Sequence, residues 1–486
     1  MSQLRLHDTL SRGLKTVEPL EPGHVRLYTC GPTVYGPAHI GNFRAYVFED
    51  VLRRWLEHRF PRVTHVMNLT DVEDKIIRNA TARGHGLDAE TAPHITAFHE
   101  DLAALGILPA QHYPRATAYI AEMLALIERL EGAGMTYRAD GSVYFRIAAF
   151  PAYGRLSGAQ ARSLQTGASG RVDADEYGDK EDARDFALWK AVGPDEIGWD
   201  SPLGRGRPGW HIECSAMSMS LLGESFDIHC GGVDNIFPHH ENEIAQSEGA
   251  TGEPFVQIWC HNAHLRVEGD KMSKSLGNFV TLREALAAGA KPSAVRYALA
   301  AMAQYRQPVN YSAESLHAAG QAVERLAGLR RRLDEVDGAP AAAANAGPTT
   351  GGVDELTAAA EAAWAGFAVA MDDDLNLPRA MGVIFNLVTA VNRRLDIAAG
   401  SVTQASRRRV GEVLDGVDAV LGVFPLVERE SGAVLDGDVQ ELLDARVAAR
   451  GARDWARSDQ LRDSLADLGI LVEDTAQGQR FRRVGN

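Results

Sequence analysis

One stretch constrains the fold more than any other: C-G-P-T-V-Y-G-P-A-H-I-G-N, from Cys30 to Asn42. A short apolar run, His24 to Tyr28, precedes it, and a helical pattern begins near Phe43. Strand, glycine- and proline-rich turn, then helix is the arrangement in which an open α/β sheet holds phosphates. Amides at the helix start and the helix dipole favour anions there. His39 and Asn42 lie three residues apart at that start, so both are expected to face one ligand, with Cys30 closing the strand beside them. An ordinary strand-to-helix turn with a buried cysteine has the same pattern, so a functional reading needs partners elsewhere in the chain.

Composition narrows the classes. With 486 residues and 45% hydrophobic content, about three domains and several cores are expected. The net charge of −15 argues against a nucleic-acid binder that uses its whole surface; an RNA partner has to dock on local basic patches. No apolar run approaches membrane-spanning length, and M-S-Q-L-R-L-H-D at the N-terminus lacks an apolar signal core. Cys30, Cys214, Cys230 and Cys260 contain no C-x-x-C pair and make no disulfide framework. A reduced, cytoplasmic protein with no membrane partner is the expectation.

Along the chain, Val25 and Leu27 share one face of the first strand, and Phe43, Val47, Val51, Leu52 and Trp55 recur at helical spacing. Val63 to Leu69 reads as a second buried strand ending in N-L-T-D-V-E-D-K, from Asn68 to Lys75. Polar residues there suit ligand contact at the carboxyl edge of a sheet, with Thr70 and Asp71 facing the Cys30 crevice; the alternative is a solvated loop capped by Asp71. Residues 92 to 135 read as helices with Leu124, Ile127 and Leu130 as a core stripe, and strands follow around Val143 to Ile147. The charged segment Gly158 to Asp185 reads as an excursion, after which the sheet is predicted to resume at Phe186 to Trp189.

The densest run of metal-ligand residue types follows, holding Cys214, His229, Cys230, His239, His240, Glu241 and Glu243. His239 and Glu243 are four apart on an apparent helix and share a face; His240 shares it less well. Zinc takes cysteine, histidine and carboxylate ligands, usually four. Cys30, Cys214, His239 and Glu243 form a chemically reasonable set, against the alternative of a satisfied polar cluster with cysteines acting as small hydrophobes. Further on, an E-G-D turn leads to K-M-S-K-S, Lys271 to Ser275. Two lysines three apart on a turn before a helix suit a mobile polyphosphate clamp, the alternative being a generic lysine loop.

The C-terminal part reads as helical. Arg283 to Met302 and Leu316 to Leu333 lead to a linker at Asp337 to Asp354, then to a block from Glu355 to Val423 containing M-D-D-D-L-N-L-P-R-A. After a break near Leu426 to Gly437, an amphipathic helix is predicted over Leu442 to Leu468, with short strands at Ile470 to Glu473 and Arg480 to Arg483. Eight arginines against six acids from Arg446 to Arg483 fit an RNA-facing surface, or equally a solvated face with local ion pairs.

Taken together, the motifs identify a family resemblance. H-I-G-N resembles the "HIGH" signature of class I aminoacyl-tRNA synthetases, with Asn42 in place of the final histidine, and Lys271 to Ser275 reproduces their "KMSKS" signature. C-G-P-T-V-Y, G-W-H-I-E-C-S-A-M, F-P-H-H-E-N-E-I-A-Q, M-D-D-D-L-N-L-P-R-A and R-D-W-A-R-S-D-Q-L-R together resemble the cysteinyl-tRNA synthetases, over essentially the whole chain. Ala263 stands where that family is expected to carry glycine, and Cys230 lies in a stretch expected to be glycine-rich.

The resemblance implies an α/β fold: a class I Rossmann-like parallel-sheet catalytic domain in halves 1–124 and 196–266, interrupted by an insertion at 125–195. A KMSKS and stem-contact segment at 267–320, an anticodon-binding helical bundle at 321–425 and a small mixed anticodon-recognition domain at 426–486 would follow. It implies one Zn2+ on Cys30, Cys214, His239 and Glu243, choosing His239 over His240. His39, Asn42, Lys271 and Lys274 would be catalytic. ATP, with Mg2+, would lie against Gly31, Pro32, Thr33, His39, Gly41 and Asn42 on one side and Lys271, Met272, Ser273, Lys274 and Ser275 on the other. Thr70, Trp210 and Asp234 would surround the substrate L-cysteine. The implied enzyme is a monomer that makes cysteinyl-adenylate and passes the cysteinyl group to tRNA(Cys). Positioning and charge stabilisation suffice for both steps. A thiolate on zinc separates cysteine from serine without an editing domain. Two alternatives share parts of this pattern: a cysteine:aminosugar ligase of mycothiol synthesis and a non-catalytic zinc- or RNA-binding paralogue.

Overall fold

The apolar run that precedes the Cys30 turn is buried on both faces, as a parallel strand between helix layers must be. In a computed structural model that describes residues 2–158, 180–271, 278–337, 355–398, 402–431, 437–468, 470–475 and 478–483, a hairpin of β1 (Arg5–Asp8) and β2 (Gly13–Thr16) comes first. β3 (His24–Thr29) then buries Val25, Leu27 and Tyr28 completely. The helical stripe of Phe43, Val47, Val51, Leu52 and Trp55 packs α1 (Ile40–Arg59) into the core. β4 (Arg62–Met67) runs parallel to β3. α2 (Asp74–Arg83), α3 (Leu87–Ala104) and α4 (Ile120–Gly132) follow, with α4 burying Met123, Leu126, Ile127 and Leu130. Leu124, predicted for that stripe, is off its centre and only partly buried.

An antiparallel sheet comes next, in the order β5 (Thr136–Ala139), β6 (Ser142–Phe145), β7 (Phe186–Ala191) and β8 (Gly206–Pro208). Phe186 to Trp189 therefore belongs to this sheet and does not resume the main one. A short apolar run reads alike in either setting; its partner here is β6, with Phe145 stacked on Phe186 at 4.9 Å. Residues 159–179 of the charged excursion lie outside the described residues.

The main sheet is completed by α5 (Trp210–Leu222), β9 (Phe226–Gly232), α6 (Glu241–Thr251) and β10 (Val256–Asn262). Its order is β10-β9-β3-β4, all parallel. β4 lies on one side of β3 and β9 on the other, so the winding reverses between β3 and β9. A crevice opens outside the carboxyl ends of strands at such a reversal, and it is the usual ligand site of an open α/β sheet.

β11 (Leu265–Val267), β12 (Asp270–Lys271) and β13 (Val309–Tyr311) form a small sheet, with α7 (Leu282–Ala287) and α8 (Pro292–Ala301) between its last two strands in sequence. The helical block consists of α9 (Ala313–Asp337), α10 (Glu355–Asp372), α11 (Leu377–Ala398), α12 (Gln404–Leu421) and α13 (Phe424–Glu430). Residues 338–354 of the expected linker lie outside the described residues. One apolar core runs from β3 and α1 into α10–α12, with Trp55 edge-on to Phe367. The M-D-D-D-L-N turn fastens this block to the N-terminus. Asp372 accepts from Trp55 Nε1 (3.1 Å) and Ser2 Oγ (2.6 Å), and Asp374 from the His7 amide (2.8 Å) and Tyr305 hydroxyl (2.6 Å).

The C-terminal unit has a small core of its own, Val439, Leu443, Leu465 and Ile470. It is built from α14 (Gly437–Gly451), α15 (Trp455–Asp467) and a hairpin of β14 (Ile470–Thr475) and β15 (Gly478–Arg483). The single helix predicted from Leu442 to Leu468 is two. Arg453 takes a left-handed φ of 61° and Asp454 caps the second helix by accepting from the Arg457 amide at 3.1 Å. Gly451 followed by a capping aspartate is the breaking signal in the sequence. Among the described residues no helix is long and apolar enough to cross a membrane.

Candidate active site and metal centre

The Cys30 turn is built by backbone that comes too close for side chains. A Cβ on Gly31 would stand 1.7 Å from the Asn68 carbonyl oxygen, so only glycine fits, and the Gly31 amide donates to Asn68 Oδ1 at 2.9 Å. Thr70 N donates to Pro32 O (3.1 Å) and Val34 N to Thr70 O (3.0 Å). The turns after β3 and β4, carrying Pro32, Thr33 and Thr70, are thereby zipped together. Asp71 does not face the crevice: it is buried and accepts from Arg115 Nε (2.8 Å), the Thr117 amide (2.9 Å) and the Thr117 hydroxyl (2.6 Å). Glu73, not Asp71, caps the following helix.

His39 is the N-cap of α1. Its Nδ1 accepts from the Asn42 amide at 3.2 Å, and Asn42 Oδ1 accepts from the His39 amide at 3.1 Å. This reciprocal box commits the Asn42 side-chain oxygen to the backbone. Because Nδ1 accepts, the ring proton of a neutral His39 sits on Nε2, the form that donates to a phosphate oxygen. Gly41 lies in the first turn of the same helix. The lysine-loop end returns here: the Ile40 amide donates to Val280 O at 2.9 Å, and the Phe279 ring meets His39 edge-on at 5.0 Å. Lys271 ends β12 as backbone, and Met272, Ser273, Lys274 and Ser275 lie outside the described residues.

Across the sheet reversal, three separate segments converge. One ligand atom from each of Cys30, Cys214, His239 and Glu243 lies within 4.8 Å of all the others. Cys30 follows β3, Cys214 lies one turn into α5, His239 lies in the turn that leads into α6, and Glu243 follows four residues later in the first turn of α6. Among the described residues Glu243 Oε1 is buried without a hydrogen-bond partner, and it faces His239 Nε2 at 3.1 Å. An orphaned carboxylate lone pair beside two thiols and an imidazole is what a tetrahedral cation such as zinc satisfies. The Cys30 hydrogen bond pulls the Cys214 thiol down to about 6, against burial and the Glu243 charge, while the same bond and burial push Cys30 up.

Surrounding groups orient these four side chains. His239 Nδ1 stands 2.9 Å from His211 Nδ1, which turns Nε2 toward Glu243, and Trp210 stacks on the His239 ring at 4.5 Å. His229 Nε2 meets Glu243 Oε2 at 3.0 Å. Cys30, His229, His240 and Glu243 form a second group within the same 4.8 Å, sharing Cys30 and Glu243 with the first. Burial among other rings pushes His240 well down and His261 to about 3, so both are neutral. Two members of the sequence cluster go elsewhere. Glu241 turns away to accept from the Gly154 and Ser157 amides (2.9 and 2.8 Å), and Cys230 faces Cys260 across β9 and β10, fully buried.

Of the expected cysteine pocket, Trp210 touches the cluster directly. The Thr70 hydroxyl donates to Glu213 Oε2 at 2.8 Å, beside Cys214; burial and then the Cys214 charge push the Glu213 carboxyl well up. Asp234 is exposed past β9, with Oδ1 where a Cβ on Gly232 would come within 2.4 Å. Sequence reasoning missed His211 and Glu213, although both lie inside the quoted G-W-H-I-E-C-S-A-M motif, and it missed His261. Their roles depend on contacts between segments far apart in sequence, which spacing does not show.

A parallel sheet with an anion-ready helix start at its reversal, in a chain that carries H-I-G-N and K-M-S-K-S, fits the class I aminoacyl-tRNA synthetases. Residues 16–321 match the family model of class I (C) tRNA synthetase catalytic domains, 366–425 a DALR domain, and 433–482 the cysteinyl-tRNA ligase anticodon binding domain. Proteins named cysteine–tRNA ligase from Alkalilimnicola ehrlichii and Protochlamydia amoebophila are 46% and 44% identical, each alignment covering 99% of this chain and 100% and 98% of the relative. The chain belongs to the cysteine–tRNA ligase family. In fold it is also similar to Mycobacterium tuberculosis methionyl-tRNA synthetase in complex with methionyl-adenylate, with TM-score 0.61 and 19% identity over 90% of this chain and 96% of that one.

Proposed function

We propose that this chain activates L-cysteine with ATP, in the presence of Mg2+, and transfers it to tRNA(Cys), with a zinc ion on Cys30, Cys214, His239 and Glu243. The observation that carries the metal reading is the convergence of those four donors, with an orphaned Glu243 oxygen, at the sheet reversal beside the His39 turn. Zinc bound there supplies a site that a soft thiolate fills and a serine hydroxyl does not. Trp210, Thr70 and Asp234 line the approach for the amino acid. Gly31, Pro32, Thr33, Gly41 and Asn42 shape the ATP turn, where His39 Nε2–H donates to phosphate. Lys271, Met272, Ser273, Lys274 and Ser275 are assigned to the same ATP, Lys274 offsetting charge as the carboxylate attacks the α-phosphorus and pyrophosphate leaves.

The same reading divides the chain as its sequence does, into catalytic halves 1–124 and 196–266, an insertion at 125–195, a stem-contact segment at 267–320, a bundle at 321–425 and a terminal unit at 426–486. It also makes the enzyme cytoplasmic and monomeric. An aminosugar ligase has no use for the anticodon-binding module matched at 433–482. Cysteine-dependent exchange of pyrophosphate into ATP, followed by transfer assays with tRNA(Cys) and with an aminosugar acceptor, tests the proposal. Exchange and transfer to tRNA alone are expected. Absence of exchange returns a non-catalytic protein, and transfer to the aminosugar returns the other ligase.

A further inference from the structure

The His240 ring is tied to the first hairpin. Its Nε2 stands 3.3 Å from Cys30 Sγ, its Nδ1 2.8 Å from His261 Nε2, and His261 Nδ1 2.7 Å from Thr9 Oγ1. These contacts make one unbroken line from a proposed metal ligand to Thr9. Thr9 is held in register by its own amide, which donates to Trp259 O at 2.9 Å, two residues before His261. Both imidazoles are buried, and both lie against Trp259. A Cβ on Gly231 would meet the His240 ring at 2.8 Å, so the strand beneath it leaves the ring no slack.

The protons on this line can be counted. A neutral imidazole carries one N–H and one lone pair. The gap between His240 Nδ1 and His261 Nε2 has room for a single proton. A cysteine that ligates zinc does so as thiolate and only accepts, so His240 Nε2 carries the proton that faces Cys30. His240 Nδ1 then accepts from His261 Nε2–H, and His261 Nδ1 accepts from the Thr9 hydroxyl. If His240 were itself the ligand through Nε2, every bond would reverse and Thr9 would accept. The first polarity gives the Cys30 sulfur a hydrogen-bond donor and leaves the metal to His239, whose Nδ1 has its own partner in His211. Outer partners of this kind set ligand orientation and basicity.

We propose that Thr9 is a positioning residue of the metal centre: its hydroxyl donates to His261 Nδ1 and so aims His240 Nε2–H at the Cys30 thiolate. This rests on the zinc reading above. The test uses the full chain as purified with zinc, in wild-type, Thr9→Ser and Thr9→Val forms; valine keeps the shape and removes the hydroxyl. Zinc affinity is read by competition with a chromophoric chelator, and KM for cysteine and for ATP by pyrophosphate exchange. Thr9→Val is expected to lose zinc affinity roughly tenfold or more and to raise KM for cysteine, not for ATP, while Thr9→Ser matches wild type. In the wild-type chain, 15N-histidine spectra are expected to show His240 and His261 both as Nε2–H tautomers, a readout that needs no variant to fold. Zinc-loaded wild type and Thr9→Val with equal affinities, equal losses in Thr9→Ser and Thr9→Val, or Nδ1–H tautomers would each overturn the Thr9 proposal alone. Wild-type chain that binds no zinc overturns the metal reading itself.

Discussion

His39 owes its tautomer to a neighbour rather than to its own chemistry, since Nδ1 is occupied by the Asn42 amide. The reciprocal bond uses Asn42 Oδ1. Asn42→Ala is expected to cost about 1 kcal/mol of stability, read by urea denaturation, and to slow pyrophosphate exchange because His39 loses its brace. Asn42→Asp keeps the acceptor and should restore the stability; equal losses in both variants would contradict the capping role. Glu49, on the same helix, has both carboxyl oxygens buried without hydrogen-bond partners among the described residues. Burial pushes it up to about 8, offset only in part by the nearby Thr29 hydroxyl. Its folded pKa lies above the unfolded one, so the folded chain holds a proton that the unfolded chain has released. Stability from this group is full below the unfolded carboxylate range and falls as pH rises to about 8. Glu49→Gln should flatten that decline, with a higher Tm than wild type at alkaline pH. A parallel decline in both proteins would show that Glu49 does not cause it.

At the scale of elements, α1 is the joint between the sheet and the helical block. Asp50 on α1 and Arg296 on α8 form a fully buried ion pair, and Arg296 NH1 also donates to Leu105 O at 3.0 Å. Arg54 gives Asp50 a second cation at 2.8 Å. Arg296→Met strips Asp50 of its fully buried cation and leaves it Arg54 alone, so the substitution is expected to cost about 3 kcal/mol, the low end for breaking a buried pair, by equilibrium denaturation. Asp50→Asn combined with Arg296→Met should recover part of that loss, and a double variant no more stable than the single would contradict the pairing. α1 itself was legible from its apolar stripe. The Asp50–Arg296 pair was not, because its members lie 246 residues apart and no periodicity connects them. Phe186 to Trp189 was legible as a strand but not as a member of the second sheet, since an apolar run carries no label for its partner. The break at Arg453 was present in the sequence as Gly451 and Asp454, but the helical pattern across it obscured the signal.

Over the whole molecule, a chain of net charge −15 has to meet an acidic RNA through local surfaces, and its C-terminal unit folds round a core of its own. The catalytic sheet and helical block instead share one core, which couples them mechanically. The zinc-type donors were legible by residue type, and His239 with Glu243 by helical spacing. The second group through His229 and His240 was not, because β9 and α6 meet only in three dimensions. The central claim is that the donors at the sheet reversal hold the metal that selects cysteine. Zinc content by elemental analysis, measured together with equilibrium binding of cysteine and of ATP to the wild-type and Cys214→Ser chains, tests it most directly. Expected are one zinc per wild-type chain, with loss of both zinc and cysteine binding in Cys214→Ser while ATP binding is kept. A Cys214→Ser chain with undiminished zinc and cysteine affinity would contradict it.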